Sequence, residues 1–186
     1  MTTAMPEGFV YLDTIDDSIL EEIRYAMPHN LVGRVIDGYG SKRCVTTIGV
    51  ANGLKAVQAE VNALGYTLKV YETYRPLRAG IDFTTWSQGN CDLMRMEFYP
   101  AINKADLFDL GYLAFRSEHT RGCAVDLTLV PLPVPDQDVF KPGDIVLDGR
   151  LPKGQRFNDN SIEMGTCFDC MDELSHTMNP KISAEG

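Results

Sequence analysis

Ser117-Glu118-His119-Thr120-Arg121-Gly122-Cys123-Ala124-Val125-Asp126 is a hydrophilic run that leads straight into the apolar segment Leu127-Thr128-Leu129-Val130. It reads as a loop at the mouth of a strand, and His119 and Asp126 make it a candidate metal site. A neutral imidazole nitrogen and a carboxylate are both donors that Zn²⁺ accepts at about 2.0–2.2 Å. Gly122 lets the chain turn back through conformations closed to other residues, and the small Ala124 lets the backbone pack closely behind an ion. A His and an Asp seven residues apart are also what an ordinary surface loop contains, so spacing alone leaves both readings open.

Toward the N-terminus, Tyr66–Glu72 is β-branched and aromatic with alternating faces, which predicts a strand. It delivers Thr73-Tyr74-Arg75-Pro76-Leu77-Arg78-Ala79 to its end. Proline disfavours helical geometry at the residue before it, so Arg75 is free to project from the strand terminus; a plain surface arginine is the other reading. Val50, Leu54, Val57, Val61 and Leu64 recur at helical steps and predict an amphipathic helix that Gly65 ends. Gly8–Leu12 predicts a short opening strand. Asp16-Asp17-Ser18 supplies capping side chains and predicts a short helix through Ile19, Leu20 and Ile23 toward Arg24-Tyr25-Ala26. Met27–Gly33 is a loop whose His29 is expected at the surface or on the substrate side. Ala79–Gln88 predicts a further helix, with Trp86 as core. Pro131–Pro135 stops regular structure, and a hairpin is expected around Asp148-Gly149.

Composition narrows the class. A chain of 186 residues with 44% hydrophobic and 23% charged content suits one globular domain, taken as 1–186. A formal charge of −9 with no basic stripe argues against nucleic acid as a partner. No run approaches the roughly 20 apolar residues of a membrane span, and Met1–Gly8 lacks the basic and apolar regions of a leader, so a cytoplasmic location is expected. Five scattered cysteines do not form a disulfide framework. Cys167-Phe168-Asp169-Cys170 is a CxxC, read as reduced thiols packing as small apolar groups, with a redox protein as the rival class.

Four segments share a wider pattern. Ser117, His119, Gly122, Ala124 and Asp126 fill Ser-x-His-x-x-Gly-x-Ala-x-Asp; Tyr74–Ala79 fills Tyr-Arg-Pro-x-Arg-Ala; Asn30-Leu31-x-Gly33 precedes Asp37-Gly38-Tyr39; and Met164–Asp169 precedes Ser175-His176. Together these resemble the zinc D-Ala-D-Ala metallopeptidases, in particular the VanX-type D-alanyl-D-alanine dipeptidases. The resemblance implies an α+β fold, a small, mainly antiparallel sheet flanked by helices. It implies zinc as cofactor, held by His119 and Asp126, and hydrolysis of the small dipeptide D-Ala-D-Ala in peptidoglycan precursor turnover or glycopeptide resistance. By the same resemblance Arg75 is catalytic, stabilising an oxyanion, and Ser117, Tyr25 and Asn30 contact substrate. His176 is expected to support the pocket loop rather than bind metal. Family members carry the third zinc ligand and the general base on a Glu-x-x-His segment, and no histidine follows His176 here. The expectation is therefore a domain lacking that C-terminal part, with a partner segment or a second copy covering the apolar surface left behind. A non-catalytic binding or scaffold domain with a weak zinc site is the alternative function.

Overall fold

The computed structural model describes residues 5–181. Its regular elements are β1 (Phe9–Tyr11), β2 (Leu20–Glu21), β3 (Val45–Thr47), α1 (Ile48–Ala63), β4 (Tyr66–Glu72), α2 (Leu77–Ser87), α3 (Arg95–Phe98) and β5 (Asp126–Pro131). β1 and β3 pair antiparallel, and a separate three-stranded sheet runs β2-β4-β5. Within it β4 and β5 are antiparallel and β2 lies parallel to β4, so the α+β architecture holds with a mixed sheet. No helix among the described residues is long and apolar enough to cross a membrane.

β4 is the centre of this arrangement. Six of its seven residues are buried, because α1 covers one face and an irregular segment covers the other, so the alternating pattern does not mark a solvent face. On the α1 side Leu68 and Val70 pack with Leu12, Ile19, Ile23, Ala51 and Leu54. A second core gathers Tyr25, Phe83, Trp86, Met94, Phe98 and Tyr99 around α2, which places Trp86 in the core as expected.

The α1 helix forms where its periodicity predicts, capped by Thr47, whose hydroxyl accepts from the Val50 amide at 3.4 Å. Its buried stripe is displaced, running through Ala51, Leu54 and Gln58, while Val57 and Leu64 are exposed. The side chain of Gln58 explains the shift. It donates to Thr67 Oγ1 at 2.8 Å and to the Ser18 carbonyl at 3.2 Å, and accepts from the Leu68 amide at 2.8 Å, tying helix, β4 and the approach to β2 together.

Three further expectations change. The segment after Asp16-Asp17-Ser18 is not a helix: Asp16 Oδ1 caps the Ser18 amide in a local turn, β2 then pairs with β4, and only Arg24–Ala26 closes a single 3-10 turn. The parallel pairing gives this backbone partners that a short helix between two turns would not have. No hairpin forms around Asp148-Gly149. Residues 132–172 are irregular and are held by side chains instead, with buried Lys69 donating to Gln137 Oε1 at 2.8 Å and Asn160 Oδ1 at 3.1 Å while pairing with Glu22 at 2.5 Å. His29 is buried rather than at the surface. Its Nδ1 accepts from Arg24 Nη1 at 2.8 Å, which fixes the proton on Nε2, and that nitrogen donates to Glu97 at 2.9 Å.

Replacing Gln58 with leucine leaves the Leu68 amide buried without an acceptor, which costs about 1–3 kcal/mol. Urea unfolding of Gln58→Leu is expected to show a lower midpoint with an unchanged slope.

Candidate metal and catalytic site

The site forms where β4 ends and β5 begins. Ser117 starts a 3-10 turn over Glu118–Arg121, its hydroxyl accepting from the His119 amide at 3.3 Å. Gly122 ends the turn at φ +66°, in the left-handed region, and a Cβ there would lie 2.6 Å from a ring carbon of Phe9. Glycine is thus required twice at this position, for its backbone angle and for the aromatic ring of β1 behind it. Asp126 is the first residue of β5 and pairs with Glu72, the last of β4, across an irregularity that leaves Tyr71 unpaired.

The orientation of His119 follows from one bond. Its Nδ1 stands 2.9 Å from the Thr73 carbonyl, which can only accept, so the ring proton sits on Nδ1 and the lone pair on Nε2. That lone pair faces Asp126 Oδ1 at 3.3 Å. Two lone pairs held face to face need a positive species between them, either a proton or a metal ion. Two donors each about 2.0–2.2 Å from a tetrahedral ion stand roughly 3.3–3.6 Å apart, so the pair fits a zinc-sized cation. The backbone bond to Nδ1 is the outer-shell contact that orients metal-bound imidazoles. Burial opposes charge on His119, but the hydrogen bond its protonated ring donates to Asp126 and the negative field of Glu72 and Asp126 outweigh it and raise the ring's pKa.

Glu72, His119 and Asp126 place one donor atom each within 4.8 Å of one another. Glu72 nevertheless belongs to a second layer. Its carboxylate lies on the Nδ1 side of the imidazole, at 3.6 Å, and receives Arg75 Nε at 2.9 Å, Arg75 Nη2 at 2.5 Å and the Tyr39 hydroxyl. Arg75 is thereby drawn in beside the His119/Asp126 donor pair, with its guanidinium 5.4 Å from the centres of the Tyr25 and Phe83 rings. Burial works against the charge of Arg75, and the Glu72 hydrogen bonds more than restore it, so the guanidinium is held firmly protonated.

Tyr25 is buried and donates its hydroxyl to Asp169. Burial, and then the negative charge of Asp126, push the Asp169 carboxyl up to about 6. Asp169 also adopts φ +61°, an uncommon backbone state for a residue with a side chain. Asn30 is placed differently from its expected contact with substrate. It is fully buried, its amide nitrogen donating to the Met27 and Arg34 carbonyls at 2.6 and 2.7 Å and its oxygen accepting from the Val32 amide at 2.9 Å. Those bonds leave it shaping the 27–34 loop.

Of the residues expected in the site, the fold brings together Arg75, Ser117, His119, Asp126 and Tyr25. Glu72, Tyr39 and Asp169 join them although the sequence offered no local signal for any of the three. Tyr39 and Asp169 lay within stretches already matched to a family pattern, and Glu72 was read only as the last residue of a predicted strand that also carries Lys69. The other two histidines lie elsewhere: His29 in the buried pair with Glu97, and His176 exposed and stacked on Tyr112. Glu118 is exposed and pairs with Arg121 at 3.2 Å. In the CxxC, hydrogen bonding to Cys170 and burial push the Cys167 thiol well up, the reverse of what a reactive redox thiol requires.

An α+β fold with a His/Asp donor pair at a strand mouth, flanked by an anchored arginine, is an arrangement that a metallopeptidase can use. The family model described as D-ala-D-ala dipeptidase matches residues 5–133. The D-alanyl-D-alanine dipeptidase of Enterococcus faecalis is 34% identical over 173 residues, covering 92% of this chain and 74% of the relative. That of Enterococcus faecium is 33% identical over the same shares, and that of Streptomyces coelicolor is 38% identical over 129 residues, 69% of this chain and 64% of the relative. The chain belongs to the D-Ala-D-Ala dipeptidase family.

Asp169 carries a stability cost that can be measured. A carboxyl whose pKa is raised on folding binds its proton more tightly in the folded state, so folding weakens as pH rises from the ordinary carboxylate value, 3.8, to about 6, and stays weakened above it. Asn keeps an acceptor for Tyr25 and tolerates positive φ. In metal-free protein Asp169→Asn is expected to gain about 1–3 kcal/mol at pH 7 and almost nothing at pH 4, by chemical denaturation at the two pH values.

Proposed function

We propose that this chain is a zinc-dependent dipeptidase acting on D-alanyl-D-alanine. The observation that carries the reading is the pair of facing donors, His119 Nε2 and Asp126 Oδ1, held 3.3 Å apart by backbone geometry. Zinc bound between them would acidify a water and polarise the scissile carbonyl. Arg75 supplies the second element. With Nε and one Nη2 hydrogen taken by Glu72, the N–H groups of Nη1 meet no protein acceptor among the described residues and are available to an oxyanion.

Asp169 and Tyr25 form the third element. A partly exposed carboxylate beside Asp126 and Glu72 makes this wall of the site negative, which suits the ammonium end of a dipeptide, and Ser117, at the start of the turn that carries His119, would be a further substrate contact. Binding of that ammonium would stabilise the ionised form of Asp169. The family pattern also calls for a third protein ligand and a general base on a Glu-x-x-His segment; the one such spacing here, Glu173-Leu174-Ser175-His176, carries an exposed histidine stacked on Tyr112 and does not join His119 and Asp126. A role in peptidoglycan precursor turnover or glycopeptide resistance, in the cytoplasm, is the setting that the relatives' substrate suggests.

Zinc content and D-Ala-D-Ala hydrolysis should be measured for this chain and for one extended by such a segment. The reading expects about one zinc per chain and activity in the extended form; inactivity of both forms would favour a binding domain. Arg75→Lys is expected to keep the zinc and lose about 10²–10³-fold in kcat. Loss of zinc with activity would instead make Arg75 structural.

A further inference from the structure

We propose that Tyr39 and Glu72 are positioning residues of the hydrolysis, bracing Arg75 so that one edge of its guanidinium is fixed and the other faces the reacting carbonyl. The inference rests on the reading of this site as a zinc dipeptidase and assigns roles to two side chains outside it. Glu72 is 0% exposed, so its charge must be compensated inside the protein. Its compensation comes from Arg75 through two parallel N–H···O bonds, from Nε and Nη2. A bidentate pair fixes the plane of the guanidinium as well as its position.

Tyr39 completes the brace from a different part of the chain. Its hydroxyl donates to the same carboxylate oxygen that receives Arg75 Nε. Burial, and then the negative charge of Glu72, raise its pKa, so it remains a hydrogen donor at every working pH. The loop bearing Tyr39 is seated directly on the strand end. Gly38 has φ +98°, and a Cβ there would lie 2.8 Å from Pro76 Cβ, so the loop rests against the residue following Arg75. Arg75 is also anchored through its backbone, its amide donating to the His119 carbonyl at 2.9 Å. Backbone and carboxylate thus hold it at two points, and the Nη1 edge is left over. A lysine or a loosely held arginine would have to be ordered at the moment of reaction; this one is already in place.

The rival role for Glu72 is that of a metal ligand, and metal content separates the two. On the polypeptide that hydrolyses D-Ala-D-Ala, Glu72→Gln is expected to retain its zinc, to lose about 10–100-fold in kcat and to change KM by less than about 3-fold. In an Arg75→Lys background the same substitution should cost less than about 3-fold more, since the two residues act as one unit. Tyr39→Phe removes one hydroxyl without emptying the core and should lower kcat by about 3–10-fold, which keeps the proposal testable should Glu72→Gln fold poorly. Phenylglyoxal modification of Arg75, mapped by mass spectrometry, should run at least about 5-fold faster in Glu72→Gln.

Loss of zinc in Glu72→Gln, full kcat in both variants, or losses that multiply in the Arg75→Lys background would each overturn the proposal while leaving the dipeptidase reading standing. If no form of the protein hydrolyses the dipeptide, it is the dipeptidase reading that fails. The brace is then judged by modification alone, and an unchanged rate at Arg75 rejects it.

Discussion

The register between β4 and β5 is the constraint on which the site depends. Through Lys69–Thr128 and Val70–Leu127 the two strands run in regular antiparallel pairing, and an extra residue at Tyr71 then shifts the partnership by one, so that Glu72 faces Asp126. Without that shift Asp126 would face Tyr71, and the carboxylate holding Arg75 would have no place beside His119 and Asp126. An extra residue in one strand re-aims every side chain beyond it, which is why such irregularities recur beside active sites. The same shift leaves Thr73 with its carbonyl turned to His119, which settles the imidazole tautomer. Ligand geometry, second-layer carboxylate and arginine all follow from one unpaired residue.

The parts of the site that were legible in the sequence are those encoded locally. His119, Gly122 and Asp126 lie within eight residues, and their types alone state a loop, a turn and two donors. Arg75 was legible through the Tyr-Arg-Pro-x-Arg-Ala pattern, since the proline after it by itself left a surface arginine open. Glu72, Tyr39 and Asp169 were not, since each acquires its role from a partner far along the chain: Tyr39 from Glu72, and Asp169 from Tyr25. The periodicity of α1 located the helix but misplaced its buried face, because Gln58 is buried for its hydrogen bonds rather than for hydrophobicity. β2 escaped notice for a related reason. Two residues cannot show alternation, and the preceding Asp16 turn resembles a helix cap until the parallel pairing with β4 decides the matter.

His29 and Asn30 share a lesson about loops. Both lie in a stretch marked by proline and glycine, where polar side chains are ordinarily taken for surface groups. Here the backbone has no ladder to pair with, so buried side chains supply the bonds. Asn30 closes the loop on itself, and His29 joins Arg24 to Glu97. The same device recurs behind β4, where Lys69, Glu22 and Asn160 pin the long irregular segment that follows β5. Charged groups at these positions are matched in sign, and removing any one strands its neighbours in a dry interior.

The ring of Phe9 against Gly122 bears on how the protein assembles. The pieces of the candidate site come from residues near positions 9, 39, 72, 119 and 126, so closing it joins segments separated by more than half the chain. Contacts of such long sequence separation form only after most of the chain entropy has been surrendered. Were an ion bound as proposed, it would meet its two donors only on a nearly complete fold and would lock the finished structure rather than nucleate it. Because β1 supplies the wall behind the turn, the proposed ion would couple to this strand, and its amides are the place where that locking would be felt as slowed hydrogen exchange.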